Sequence, residues 1–220
     1  GENLDVIETT NQLKRYKSTF PNLILTDFYE FRLYRNGQLI DKVSIGRQFI
    51  AKKLQVAPPL ENEDKFITLL EKFFSFSFPA VFTAESLAVE LAKRTGFLRD
   101  EVIAKELEEE EKGKGEIFGF YSAFKDYLVA NLSQHDFADI YSQTITYGLF
   151  AARTRANGAF TRKGAYDLIP QTIGILRDVF RFISLGKLPL QMEVIVDDIA
   201  EVLQAADVNK ILDEYYRKGK

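Results

Sequence analysis

The 220-residue chain has no cysteine, no tryptophan, one methionine and one histidine. Without cysteine there is no disulfide, no thiolate nucleophile and no cysteine-ligated zinc or iron–sulfur centre, and a single imidazole leaves little scope for histidine acid–base chemistry. Most cofactor-free hydrolase mechanisms lose a partner on these grounds. Long apolar runs are missing too. The stretches 23–25 and 194–196 are soon broken by Asp27 and Asp197, far short of the roughly 18 apolar residues of a membrane span, so no membrane role is expected. The chain opens without Met and without a basic or apolar leader pattern, which reads as a cytoplasmic chain that begins inside a longer protein. Charge of one sign is also scarce: 29 Lys and Arg stand against 32 Asp and Glu, a net charge of -3. There is no overall attraction to nucleic acid, although a local basic face is compatible with that balance.

What is present is ordinary for a folded domain. Hydrophobic residues make up 46% and charged residues 28%, which argues against disorder. The length gives room for one large domain, or a small one joined to a larger one.

The periodicity changes along the chain. Thr9-x-x-Gln12 has capping-box spacing and predicts a helix over 9–18, closing before Phe20-Pro21. Residues 23–26 form a buried-strand run. Residues 28–35 alternate, with Phe31 and Leu33 on one side and Arg32 and Tyr34 on the other. Asn36-Gly37 is a type I′ hairpin signal, and 39–45 returns as the partner strand. Three strands are too few to close a sheet with both faces covered. Ala57-Pro58-Pro59 makes an extended connector, so the expected domains are 1–57 and 58–220. Beyond it, helical periods occupy 64–74, 84–94, 100–111, 117–132, 137–153, 171–182, 192–206 and 208–218. Asp136 is placed to cap the helix whose apolar stripe is Phe137, Ile140, Tyr141, Ile145, Leu149 and Ala152; Val194, Ile195, Ile199, Val202, Leu203 and Ala206 make another stripe. The expected fold class is α+β, mainly α: a small N-terminal helix and three-strand remnant, then an all-α bundle.

Few groupings carry chemistry. Gln12 and Tyr16 share one helix face, with Lys14 and Arg15 beside them. The pair either lines a site, or Gln12 completes the capping box while Tyr16 packs on the sheet. Gly113-x-Gly115 followed by Gly119 has the wrong spacing for a dinucleotide loop and reads as a turn. The acidic run 106–111 reads as a solvated helix end, on a face that would repel DNA. Asp197 and Asp198 are adjacent, diverge by about 100° on a helix and cannot share one ligand, so they read as an exposed face. His135 beside Asp136 reads as a loop histidine. The basic cluster differs in kind: Arg153, Arg155, Arg162, Lys163, Arg177, Arg181 and Lys187 face only Asp167 and Asp178, with the flexible Asn157-Gly158 among them. Phosphate contacts need such a local field. The same side chains can equally solvate helix ends, and Arg153 can pair internally with a carboxylate.

Three strings, Asn11-Gln12-Leu13-Lys14-Arg15-Tyr16, Phe20-Pro21-Asn22-Leu23-Ile24-Leu25-Thr26-Asp27 and Phe31-Arg32-Leu33-Tyr34, resemble the closing segment of the PD-(D/E)xK nuclease domain in type IIG and type ISP restriction–modification enzymes. The run from Phe137 through Tyr141, Tyr147-Gly148 and Arg153, then Phe160-Thr161-Arg162 and Val196-Asp197-Asp198-Ile199-Ala200, resembles the helical segment before the catalytic domain of the same N6-adenine DNA methyltransferases. The resemblance covers most of the chain and is least distinctive over 73–82. It implies that Gln12 and Tyr16 are the edge of a nuclease centre whose Asp and Glu-x-Lys lie upstream of this chain. It also implies DNA contacts from Lys14, Arg15, Arg153, Arg155, Arg162 and Lys163. The expected partners are DNA and the adjoining nuclease and methyltransferase domains.

In the parent, Mg2+ and S-adenosylmethionine supply the chemistry, yet neither the Gly-rich cofactor loop nor the Asn-Pro-Pro-aromatic motif occurs here. Adenine methylation needs both. This chain is therefore expected to hold no cofactor and no metal and to be inactive alone. The competing expectation is a free-standing helical interaction module with a groove around Phe73, Phe74, Phe76 and Phe78.

Overall fold

A computed structural model describes residues 3–47, 59–78, 82–109, 115–169 and 174–218. The chain divides into two units, Gly1–Ser77 and Phe78–Lys220. The expected junction at 57 lies outside the described residues, and the division comes 20 residues later. The helix over 63–74 belongs with the strands, because it supplies the apolar side chains that one sheet face needs.

Asn3 opens α1 (Leu4–Glu8) by accepting from the Asp5 amide at 2.9 Å. Thr10, not Thr9, caps α2 (Asn11–Thr19) by accepting from the Leu13 amide at 3.2 Å. Thr9 instead donates its hydroxyl proton to the Val6 carbonyl and closes α1. Strands β1 (Asn22–Thr26), β2 (Glu30–Arg35) and β3 (Gln38–Ser44) form an antiparallel sheet in the order β1-β2-β3. The hairpin turn has positive φ at Asn36 (49°) and Gly37 (76°), as a type I′ turn requires.

Strand β2 starts two residues later than the alternation suggests. Asp27 Oδ1 accepts from the amides of Tyr29 and Glu30, and Thr26 Oγ1 accepts from Phe28, which holds Phe28 at φ 69° with its ring exposed. The expected alternation then holds. Leu33 and Val43, with Ile24, Phe31 and Ile45, pack against Leu69, Phe66 and Phe73 of α3 (Glu63–Phe74). Arg32 and Tyr34 point to the opposite face, where the acids of α1 and Lys17 of α2 meet them. Three strands thus suffice for a sheet with both faces used, contrary to expectation, because helices from either side in sequence supply the cover.

The second unit is entirely helical among its described residues. Thr83 and Ser86 form a reciprocal capping box that starts α4 (Ala84–Phe97). A π-turn, Leu98–Ile103, joins α4 to α5 (Ala104–Glu109), so the segment expected as a fresh helix from residue 100 continues from α4. Then follow α6 (Glu116–Tyr127), α7 (Gln134–Arg155), the single turn α8 (Arg162–Ala165) with a 3-10 turn Tyr166–Leu168, α9 (Gly174–Leu185), α10 (Leu190–Ala205) and α11 (Val208–Lys218).

Helix α7 is the axis of this unit. Phe137, Tyr141, Ile145, Leu149 and Ala152 are fully buried, and Ile140 turns outward. Phe120, Tyr121, Phe124 and Phe182 ring Phe137 and Tyr141 at centroid separations of 5.4 to 6.5 Å or link to one another at similar distance. Each fully buried apolar side chain contributes about 1.5–3 kcal/mol. Gly148 is required where α9 crosses: a Cβ there would stand 2.1 Å from Phe180 Cζ. Helix α10 buries Met192, Ile195, Val196, Ile199, Val202 and Leu203, while Val194, expected in that stripe, is exposed.

Candidate functional site

On α2, Gln12 is exposed and Tyr16 is half-buried with its ring 5.9 Å from that of Phe20. Thr10 takes the capping role, so Gln12 is not engaged in a capping box. Lys14 and Arg15 are exposed on the same helix. Among the described residues no group of three His, Cys, Asp or Glu side chains is placed to hold a metal ion.

The basic cluster of 153–187 separates into inward and outward members. Arg162 is buried. Its Nε donates to Asp197 Oδ1 at 2.7 Å, its Nη2 to Glu193 Oε1 at 2.7 Å, and its Nη1 to the Ile183 carbonyl. Expected as a DNA contact, this side chain has no face toward solvent. Its backbone carbonyl is held by the Ser184 hydroxyl at 2.9 Å, which fixes α8 to α9.

Arg153 also turns inward, to main-chain carbonyls and not to a carboxylate. Nε donates to Leu203 at 2.9 Å, with longer contacts of 3.5 Å to Ala156 and Ala206. A guanidinium at the carbonyl end of α10 satisfies groups that the helix leaves unpaired and complements its dipole. Beside it, a polar recess of about 380 Å3 lies at the Asn157-Gly158 loop and is also lined by Asp207. One acid balances one base there, so the recess does not concentrate positive field.

Arg155 and Lys163 point outward. Arg155 Nη1 donates to the Leu168 carbonyl at 3.1 Å, and Arg177 Nε donates to the Tyr166 hydroxyl at 3.2 Å, which raises the Arg177 pKa above its ordinary value. Both arginines are thus tethered to the 166–168 turn that directly follows the helix of Lys163. Arg181 pairs with Asp178 at 2.9 Å, and Lys187 is exposed. The anchored, outward cations are Arg155 and Arg177, with Lys163 on the adjoining turn.

Asp197 and Asp198 do diverge on α10: Asp197 keeps a half-exposed side chain, as expected, and Asp198 is mostly buried. While Asp197 meets Arg162, Asp198 Oδ2 accepts from Arg94 Nε at 2.6 Å. Arg94 is fully buried and also reaches Glu90 Oε2 at 2.7 Å. Burial lifts the Asp198 carboxyl above its ordinary value against the pull of Arg94. Burial also opposes the Glu90 charge, but Lys93 and Arg94 outweigh it and hold that carboxyl down. With both aspartates committed to arginines, the most suggestive carboxylate pair does not fit a magnesium site.

The remaining sequence candidates fall to structural positions. His135 lies in the first turn of α7, exposed, with Nδ1 3.6 Å from Asp136. The cap of α7 is Ser133, which accepts from the Asp136 amide at 3.0 Å and donates to its carboxylate, lowering that carboxyl's pKa. Gly113 lies outside the described residues, Gly115 precedes α6 and Gly119 is within it. Of the acidic run, Glu108 and Glu109 are exposed on α5, and 110–111 lie outside the described residues.

Of the four phenylalanines, Phe73 and Phe74 have ring centroids 5.3 Å apart. Phe73 packs toward the sheet core and Phe76 lies against the Arg35 guanidinium. Phe78 belongs to the second unit and lies under Arg94; only Phe74 is exposed as a large apolar side chain. Sequence reasoning missed Arg94 and Glu90, whose i, i+4 spacing is the one local signal of their pairing. No helix among the described residues is long and apolar enough to cross a membrane. No protein-family profile, curated protein or solved structure matches this chain.

Proposed function

We propose that this chain is a non-catalytic part of a type IIG/ISP-like restriction–modification enzyme, connecting a nuclease domain to an N6-adenine methyltransferase domain and touching the DNA backbone. The observation that carries the DNA contact is the group of outward cations around the 166–168 turn. Arg155 and Arg177 each spend one donor on a fixed oxygen, which orients the guanidinium and leaves further N–H groups for phosphate. Lys163 adds a point charge next to them.

In this reading Arg153 and Arg162 do not touch DNA; they hold the helices that present the cations. Gln12, Tyr16, Lys14 and Arg15 form the nuclease-side edge. Mg2+ and S-adenosylmethionine act in the adjoining domains, and the side chains of this chain serve for positioning and for phosphate contact. The purified chain should neither cleave nor methylate duplex DNA supplied with magnesium and S-adenosylmethionine.

The DNA contact is tested by fluorescence anisotropy on a labelled duplex across a salt series. Each phosphate contact contributes about 0.9 to the slope of log affinity against log salt. Arg155→Ala with Lys163→Ala should lower that slope by about 2 and weaken low-salt binding about tenfold. An unchanged slope in the double variant removes this surface from the proposal.

A further inference from the structure

The second unit contains a cleft of about 640 Å3 between α4, α7 and α11, within the range of small-molecule sites. It lies on a different set of residues from the outward cations, and nothing in the DNA reading uses it. One wall is the α4 row Ala84, Ala88, Ala92 and Gly96, spaced every four residues and so aligned along the helix. These small side chains leave the room. Tyr147 and Phe150 of α7 and Ile211 of α11 form the facing apolar surface.

The cleft is long and narrow. From Ala84 to Arg99, both of which line it, the helical rise amounts to about 20 Å. That volume over that length leaves a section of a few tens of Å2, which suits an extended chain better than a fused ring system.

One end is polar. Arg99 Nη1 donates to Asp139 Oδ1 at 3.1 Å and Gln143 Nε2 donates to Asp139 Oδ2 at 2.8 Å, so the carboxylate is held on both oxygens. Arg99 spends two more N–H groups on Asp100, which leaves two of its five donors. The amide oxygen of Gln143 accepts no hydrogen bond from the described residues. The Thr95 and Thr146 hydroxyls, 2.8 Å apart, also stand 2.8 and 3.1 Å from the Leu91 and Ser142 carbonyls of their own helices, so one proton bridges the pair and the other goes to a carbonyl.

This end therefore offers donors from Arg99 and an acceptor from Gln143. Its charges are already balanced by the ion pair: an anionic head would meet Asp139, and a cationic head would meet Arg99. We infer that the cleft binds an unbranched alkyl chain ending in an uncharged amide-type head, the carbonyl accepting from Arg99 and the N–H donating to Gln143, with the chain lying along the alanine row.

Three probes of equal chain length test this on the full chain by isothermal titration calorimetry: decanamide, decanoate and decylammonium. Decanamide should bind at one per chain and at least tenfold more tightly than either charged probe. Ala88→Phe and Ala92→Phe, both at exposed positions, should each weaken it at least tenfold while circular dichroism shows unchanged helicity. Gln143→Leu should erase the preference for the amide over the acid. Equal affinity for all three probes, tighter binding of a charged one, or undiminished binding in the folded phenylalanine variants would each overturn the assignment, as would the absence of saturable one-to-one binding.

Discussion

In the first unit Arg32 is buried on a sheet face and reaches out to Asp5, Glu8 and Glu30, acids no more than 27 residues away in sequence. In the second, Arg94 and Arg162 are buried among helices and reach Asp198 and Asp197, 104 and 35 residues away. The exposures differ as well. The Asp5 side chain is 73% exposed, whereas that of Asp198 is 16% exposed. Burial works against the charge on Arg32, but Asp5 and Glu30 outweigh it and its pKa rises. Around Arg94 both acids are mostly buried, and removing a buried partner from a buried cation costs more than removing an exposed one.

The largest effect expected from that difference comes from Asp198→Ala. It leaves Arg94 buried with Glu90 as its remaining carboxylate and should destabilise the second unit by about 3 kcal/mol in urea unfolding. Asp5→Ala, removing an exposed acid from Arg32, should leave the midpoint unchanged within error. Comparable losses from the two would erase the distinction.

A smaller contrast lies within the second unit. Gly148→Ala drives a methyl group into the Phe180 ring and should cost about 1–3 kcal/mol. Gly119→Ala, at an exposed helical position with nothing within 4 Å, should instead stabilise by about 0.5–1 kcal/mol. Thermal unfolding of both variants reads the sign directly.

The smallest effect is on pH. The Glu8 carboxyl is held below its ordinary value of 4.5, first by the Tyr34 hydroxyl and then by Arg32. The stabilisation is complete above 4.5 and is lost as pH falls through the lowered folded value. Asp198 has the opposite sign. Its folded pKa lies above the ordinary 3.8, so the folded state takes up the proton first, and acidification toward 3.8 favours the fold there. Hydrogen exchange by segment, corrected for intrinsic rates, should show protection over 30–35 falling in acid by more than that over 94–103, where the gain at Asp198 is offset by the loss at the lowered Glu90. Parallel loss in both segments would contradict this.

The same local-versus-distant contrast decides what the sequence discloses. The Asn36-Gly37 hairpin and the Phe31/Leu33 alternation are readable because their causes lie within a few residues. Caps slip by one to three positions, from Thr9 to Thr10 and from Asp136 to Ser133, because neighbouring residues offer equivalent oxygens and only the backbone path selects one. The π-turn at Leu98–Ile103 leaves no mark in composition. The inward turn of Arg162 is invisible because its acids lie on another helix, 31 and 35 residues on, and that of Arg94 is signalled only by Glu90, since Asp198 lies far along the chain. The adjacent aspartates show the limit most clearly: they diverge and Asp197 stays half-exposed, but Asp198 is mostly buried against Arg94, from a helix 104 residues earlier. Of the basic cluster, Arg155 and Lys163 face outward and Arg153 and Arg162 turn inward, a division that appears only once the helices are packed.

Those adjacent aspartates have a further consequence for α10. Gripped by Arg94 on one side and Arg162 on the other, the helix is keyed like a shaft with two splines. Turning it by one residue, about 100°, would pull both carboxylates out of their seats at once. A twist applied to α10 is therefore passed to α4 and α8, the helices that carry the two arginines.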